Sequence, residues 1–244
     1  MRTIALICRR ELAAYFTSPL AFVFIVIFLA LSAGMGFYLG GFLESGQADL
    51  GPFFEFHPWL YLFLIPAVGM RLWAEERKAG TIEFLMTLPV TTGQAVLGKF
   101  VAAWLFVGIA LALTFPMWIT VNYLGSPDNG VILGAYAGSW LMAGAFLAVS
   151  ACVSALTRNQ VIAFVLGAVI NFVFLMSGVD LVQAFFRGWA PETIVKAVAD
   201  FSYLTNFQGL VQGVYDLRNL VFFGSLIGVA LFVNAAVVEI EKGR

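Results

Sequence analysis

The stretch VILGAYAGSWLMAGAFLAVSACVSA, Val131–Ala155, holds no Asp, Glu, Lys, Arg or His in 25 residues. As α-helix it rises about 37 Å, more than the roughly 30 Å of a bilayer's hydrocarbon. Its apolar residues run on instead of alternating with polar ones, so it does not read as a barrel strand. Hydrocarbon leaves the backbone only helices or closed barrels, because every N–H and C=O must be satisfied internally. The stretch therefore predicts a membrane-crossing helix. Outward from it lie five more such runs, at about Pro19–Phe42, Pro58–Leu72, Val96–Val121, Val161–Gly178 and Leu220–Val238. The shortest is preceded by Phe53, Phe54, Phe56 and Trp59, which read as an aromatic belt at the outer interface.

The bulk composition agrees. The 244 residues are 61% hydrophobic and 11% charged, where a soluble domain carries about a quarter charged residues. The mean hydropathy is +0.95. The expectation is an all-α membrane protein of six transmembrane helices, one domain over residues 1–244. A net charge of −1, with no basic stripe and no finger-like Cys/His spacing, excludes a nucleic-acid partner. Cys8 and Cys152 are too few for a disulfide framework and read as unpaired thiols.

Lys and Arg set the orientation. With the N-terminus in the cytoplasm, ten of the thirteen fall inside, and only Arg187, Lys196 and Arg218 fall outside, all in one loop. Both termini are then cytoplasmic. The first eighteen residues place Ile4, Cys8, Leu12 and Tyr15 at helical spacing, with Arg2, Arg9 and Arg10 largely off that stripe. This predicts an amphipathic helix on the inner membrane surface. The first apolar run is too long for a cleaved signal, and no clear cleavage site follows it. The last outer loop, about 179–219, is too long for a plain connection. Pro191 and Glu192 suit a helix start there, and Ile194, Val198, Phe201, Leu204 and Phe207 form an apolar stripe. One or two amphipathic or re-entrant helices are expected between spans five and six.

The spans lack ionisable residues at mid-depth, and Asn171 and Asn234 are their strongest polar groups. Ion-coupled carriers need such ionisable groups to bind and release the coupling ion. A membrane enzyme would need catalytic clusters that the sequence does not show, so the chain reads as no enzyme, with no cofactor or metal of its own. Energy for any uphill work must come from a partner. The stretch GQAVLGKF imitates a phosphate-binding loop at Gly93, Gly98 and Lys99, but Phe100 stands where Ser or Thr must hold Mg²⁺. Lys99 reads instead as the inner end of the third span. Gly36/Gly40, Gly134/Gly138 and Gly224/Gly228 have the spacing that lets membrane helices approach closely.

Between spans two and three runs RLWAEERKAGTIEFLMTLPVTTGQ, Arg71–Gln94, with six charged residues from Arg71 to Glu83. Gly80 permits a change of direction and Thr81 suits a helix N-cap. Ile82, Leu85, Met86 and Pro89 follow at i, i+3, i+4 and i+7. A short amphipathic helix on the cytoplasmic side is predicted, its apolar face seated in lipid or in a partner's groove.

This segment resembles the corresponding one of ABC-2-type transporter permeases. They carry acidic and basic residues, Gly-Thr-x-Glu, an apolar turn and a Pro, then Gly-Lys at the next span. The run FQGLVQGVYDLRNLVFF before the last span is similar to the GldF branch, named for gliding motility. The resemblance implies a permease subunit in the bacterial inner membrane, among membrane lipids, coupled to export or to force transmission. ATP and Mg²⁺ would sit on a separate GldA-like ATPase, and the second permease chain would be identical or a GldG-like chain with an extracytoplasmic domain. It implies that Glu75, Glu76, Gly80, Thr81, Glu83, Leu88 and Pro89 form or brace a coupling helix, to which Leu85 of the apolar stripe is added. The turn at Thr157, Arg158 and Asn159 would be a second contact with the ATPase. The alternative is a scaffold or channel outside the ABC transporters, whose inner loop serves assembly.

Overall fold

The computed structural model describes residues 2–42, 44, 46, 48–80 and 90–242, and every regular element within them is helical. Helix α1 spans Arg2–Thr17 and α2 spans Pro19–Gly34, continued by a π-helical turn over Met35–Leu39. After the short α3, Gly51–Glu55, come α4, His57–Gly69, and α5, Arg71–Ala79. The long helices α6, Thr92–Ala112, α7, Phe115–Leu124, and α8, Asn129–Ala155, follow. Then come α9, Gln160–Met176, α10, Asp180–Arg187, α11, Glu192–Asp200, α12, Tyr203–Val211, and α13, Leu217–Lys242.

Helix α8 is the axis of the bundle. Helices α4, α5, α6, α9, α12 and α13 all pack against it. Its second half is rich in Gly, Ala and Ser, and small side chains let helix backbones approach closely in a membrane. Residues Met142–Ala151 are accordingly buried on every side of the helix. Three serines of α8 set its register against the α4–α5 pair, which runs parallel to it. His57 Nδ1 and the Tyr61 hydroxyl lie 2.8 and 2.7 Å from Ser139 Oγ. Gly69 packs so closely on Ser150 that an added Cβ would come within 2.5 Å of the serine Cβ. At Met70 the Ser154 hydroxyl takes over, as described below.

Among the described residues, four helices are long and apolar enough to cross a membrane: Pro19–Leu39, Thr92–Leu124, Asn129–Ala155 and Leu217–Ile240. Gln160–Met176 and Asp180–Arg187, meeting at 67°, make a fifth if they are one broken span. The six expected crossings thus become four or five by this measure. The difference lies in the segment expected at 58–72. It breaks at Met70, and its first piece, His57–Gly69, rises only about 20 Å. The third crossing also bends. Pro116 offers no N–H, and its ring would meet the carbonyl of Ala112, so α6 gives way to α7 around Thr114.

The expected aromatic belt divides. Phe53 and Phe54 are fully buried, where they and Phe28 enclose the His57 ring. Trp59 remains exposed. His57 itself is buried in the bundle. Gly36 and Gly40 admit Phe53 and Pro52, and Gly134 and Gly138 admit Tyr215 and Leu210, so both close approaches form. Gly224 and Gly228 face open space.

The last outer loop holds three helices, one more than the upper expectation. Helix α10 buries none of its residues and shows Leu181 and Phe185 outward, as a helix lying in an interface does. Helix α12 behaves differently. It turns back into the bundle, where the Tyr203 ring stacks on Phe146 at 4.2 Å. The Tyr203 hydroxyl donates to Asn171 Oδ1 at 2.9 Å. Asn171 Nδ2 in turn reaches the Ser150 hydroxyl and the carbonyls of Phe146 and Gly167. Of the expected stripe, Phe207 is buried, but Ile194 and Phe201 are exposed and Val195 is buried in their place.

Candidate functional site

The end of the bundle that carries Arg71, Lys99 and Arg158 is built from the break in the second apolar segment. An α-helix begins with N–H groups that have no partner inside it. At the start of α5 two of these, on Trp73 and Ala74, are accepted by Ser154 Oγ at 3.2 and 3.0 Å. The same hydroxyl donates to the Met70 carbonyl at 2.7 Å. One serine of α8 thus holds both sides of the break. Because α5 and α8 run parallel there, Glu75–Gly80 extend past Ser154 on the same side as Leu156–Asn159.

Charge fixes the other face of α5. Lys99, two turns into α6, has only 3% of its side chain exposed. Its ammonium lies 2.7 Å from Glu76 Oε1 and 3.4 Å from Glu11 Oε2 of α1. It also stands 5.6 Å from the centre of the Trp73 ring, within reach of a cation–π attraction. A buried charge is tolerable only when paired, and two carboxylates do that here. Burial pushes the Glu11 carboxyl up, but Lys99 and Arg10 outweigh it and hold the group below the ordinary carboxylate value. Arg71 and Glu75 form an i, i+4 pair at 2.9 Å on the more exposed side.

Helix α5 ends where the sequence places Gly80. That residue has φ of +70°, and its N–H reaches the Arg77 and Glu76 carbonyls. The left-handed conformation is open to glycine at little cost and closes the helix. Thr81, Glu83, Leu85, Leu88 and Pro89, with the amphipathic helix expected around them, lie outside the described residues. The chain re-enters with Thr91, whose hydroxyl caps α6 in a reciprocal capping box with Gln94. The residues that imitate a phosphate loop, Gly93–Lys99, are therefore helical. Across the same end, the Thr157 hydroxyl accepts the Asn159 N–H at 3.1 Å, and Asn159 Oδ1 caps α9. Arg158 and Asn159 are exposed.

A family model described as ABC-2 family transporter protein matches residues 47–238. The chain belongs to the ABC-2 family of transporter proteins. No curated protein matches it. An ABC-2 chain is the transmembrane component of its transporter, pairs in general with a separate ABC ATPase subunit, and is a multi-pass membrane protein. In this ABC-2 protein the matched residues include α5, the 157–159 turn and Lys99, while Glu11 precedes them.

The structure brings Glu75, Glu76 and Gly80 together on α5 at the end that also carries the 157–159 turn. Sequence reasoning missed Glu11, Trp73 and Ser154, and assigned Lys99 only a terminal charge. A signal existed for Glu11. It sits four residues after Ile7 and four before Tyr15, an acid on the apolar stripe of α1. Such a placement asks for a buried cation, and Lys99 is that cation.

Proposed function

We propose that this ABC-2 chain is the permease subunit of an inner-membrane transporter, six-spanning with both termini cytoplasmic, and that the segment after Gly80 receives mechanical work from the ATPase. The observation that carries this reading is the double anchorage of α5. Ser154 ties it to the axis of the bundle, and Glu76 ties it through Lys99 to α6 and α1. A displacement applied beyond Gly80 then moves α6, α8 and α1 together instead of bending a loose loop. Energetic coupling requires contacts that differ between two arrangements, and a braced lever transmits them. The turn at Thr157, Arg158 and Asn159, at the same end, is a second docking point.

The finer assignment follows the branch resemblance. A GldA-like ATPase and an identical or GldG-like second chain complete the complex, and the work is spent on export or on force passed to an extracytoplasmic domain. Nothing in the structure favours a scaffold outside the ABC transporters.

The test is co-expression with a GldA-like ABC ATPase. A stable detergent complex is expected, with an ATPase rate that depends on the permease. Glu83→Arg, or Leu85→Asp with Leu88→Asp, should remove that dependence and leave the helical content unchanged. Normal permease-dependent hydrolysis in these variants defeats the coupling assignment.

A further inference from the structure

Between α1, the start of α2, α5 and α6 lies a cavity of about 270 Å³. Its charged wall comprises Glu11, Arg71, Glu75, Glu76 and Lys99. A smaller apolar groove continues from it, sharing Tyr15 and Arg71 and lined further by Leu20, Phe24, Val68 and Phe106. The Tyr15 ring, stacked on Phe106 at 4.9 Å, forms the partition. Leu20 is half exposed, so the groove opens toward the surface that α2 turns to lipid. A polar cup joined to an apolar furrow at the foot of a membrane helix has the outline of one phospholipid.

The charges choose among phospholipids. Three carboxylates face Arg71 and Lys99, and Arg10 pairs with Glu11 at 2.6 Å, so the cluster is balanced and a headgroup of zero net charge keeps it so. Lys99 is already committed to Glu76 and Glu11. The accessible pair is Arg71 with Glu75, whose side chains are 26% and 46% exposed. A zwitterionic headgroup can replace that pair partner for partner, its phosphate taking two guanidinium N–H groups and its cation taking the carboxylate. A primary ammonium donates hydrogen bonds to Glu75, whereas a quaternary choline donates none and is bulkier.

We propose that this cleft is a binding site for one phosphatidylethanolamine molecule, with the phosphate on Arg71, the ammonium on Glu75, and one acyl chain starting at the groove beside Leu20 and Phe24 and running on along the lipid-facing surface of α2. The site does not depend on the coupling assignment, because it is assembled within a single chain. It adds a recognition element on α5 itself, on the acidic side of the cluster.

The test is native mass spectrometry of the full chain in detergent, titrated separately with dioleoyl phosphatidylethanolamine, phosphatidylcholine and phosphatidylglycerol. One phosphatidylethanolamine should be retained at least tenfold more tightly than either of the others. Arg71→Gln and Glu75→Gln should each erase the preference, and Glu75→Lys should turn it toward phosphatidylglycerol. Thermal melting of each variant establishes that it is folded, and the partly exposed Glu75 makes its glutamine variant the safest to read. Glycerophosphoethanolamine, which has the headgroup without acyl chains, should not compete. Equal retention of the three lipids, an unchanged preference in Glu75→Gln, or full competition by the soluble headgroup overturns the proposal.

Discussion

The Lys99 ammonium lies 2.7 Å from a carboxylate oxygen of Glu76, with the lysine almost wholly enclosed. This pair joins α6 to α5, and Glu11 brings α1 to the same nitrogen. The three charges are unequal in what they leave behind. Without Lys99, two half-buried carboxylates face each other. Without Glu76, the lysine still has Glu11.

Lys99→Met should accordingly destabilise the chain more than Glu76→Gln. Removing one partner of a buried ion pair costs about 3–5 kcal/mol, and the lower end applies because both glutamates keep some contact with water. Unfolding midpoints in detergent check the order. If Glu76→Gln is as damaging as Lys99→Met, the cluster is not centred on the lysine.

Glu11 makes the same cluster sensitive to acid. Its carboxyl is held below the ordinary value by Lys99 and Arg10 despite burial. A depressed folded-state pKa adds stability that is present above the unfolded value, about 4.3, and is lost as pH falls through the folded one. The melting temperature of the wild type should therefore fall as the pH drops below about 4.3. Glu11→Gln should start lower and fall less over that window. Parallel curves for the two proteins exclude Glu11 as the titrating group.

Much of this architecture could be read before any coordinates. The long charge-free run of α8 has one reading only, since 25 such residues cannot be solvated, and the apolar runs of α2, of α6 beyond Lys99 and of α13 at Leu220–Val238 read likewise. Gly80 was legible because a glycine between a charged helix and an apolar turn needs a reason, and its positive φ is that reason. The break at Met70 was not legible. Leu72 and Trp73 continue the apolar run, and the hydroxyl that stabilises the break lies 81 residues away on Ser154. Nor could helical spacing in the outer loop show that α12 folds back. Tyr203 looks like any interfacial aromatic until Asn171 and Phe146 are placed beside it. Local patterns fix which segments are helices, whereas long-range polar contacts decide where they stop and what they brace.

Ser154 provides the most direct test of the brace. Alanine there strips the Trp73 and Ala74 N–H groups and the Met70 carbonyl of their partner at a buried site. Leaving buried backbone groups unsatisfied costs about 1–3 kcal/mol each, less whatever local rearrangement recovers. Hydrogen exchange at Trp73 and Ala74 should accelerate by at least tenfold in Ser154→Ala, while amides at the centre of α8 keep their protection. In a complex with an ATPase, the same variant should bind the partner normally and hydrolyse ATP with weaker dependence on the permease. Unchanged exchange at both amides removes Ser154 from the role of clamp.

The outer segment has one comparable anchor. Tyr203→Phe deletes only the hydroxyl that donates to Asn171 Oδ1 and keeps the ring on Phe146. The stacked ring holds most of the buried apolar area, so α12 should stay docked, at a cost of about 1 kcal/mol for the lost hydrogen bond. Tyr203→Ala removes the ring as well, and truncating a buried aromatic costs about 3–5 kcal/mol. Limited proteolysis distinguishes the two. The phenylalanine variant should be cut in residues 180–216 at nearly the wild-type rate, and the alanine variant many times faster. The sharper measurement is the Asn171 amide side chain, whose exchange should rise in both variants because both lose the acceptor bond that fixes its orientation. If Tyr203→Phe releases the loop as fully as Tyr203→Ala, the hydrogen bond and not the stacked ring holds α12 in the bundle.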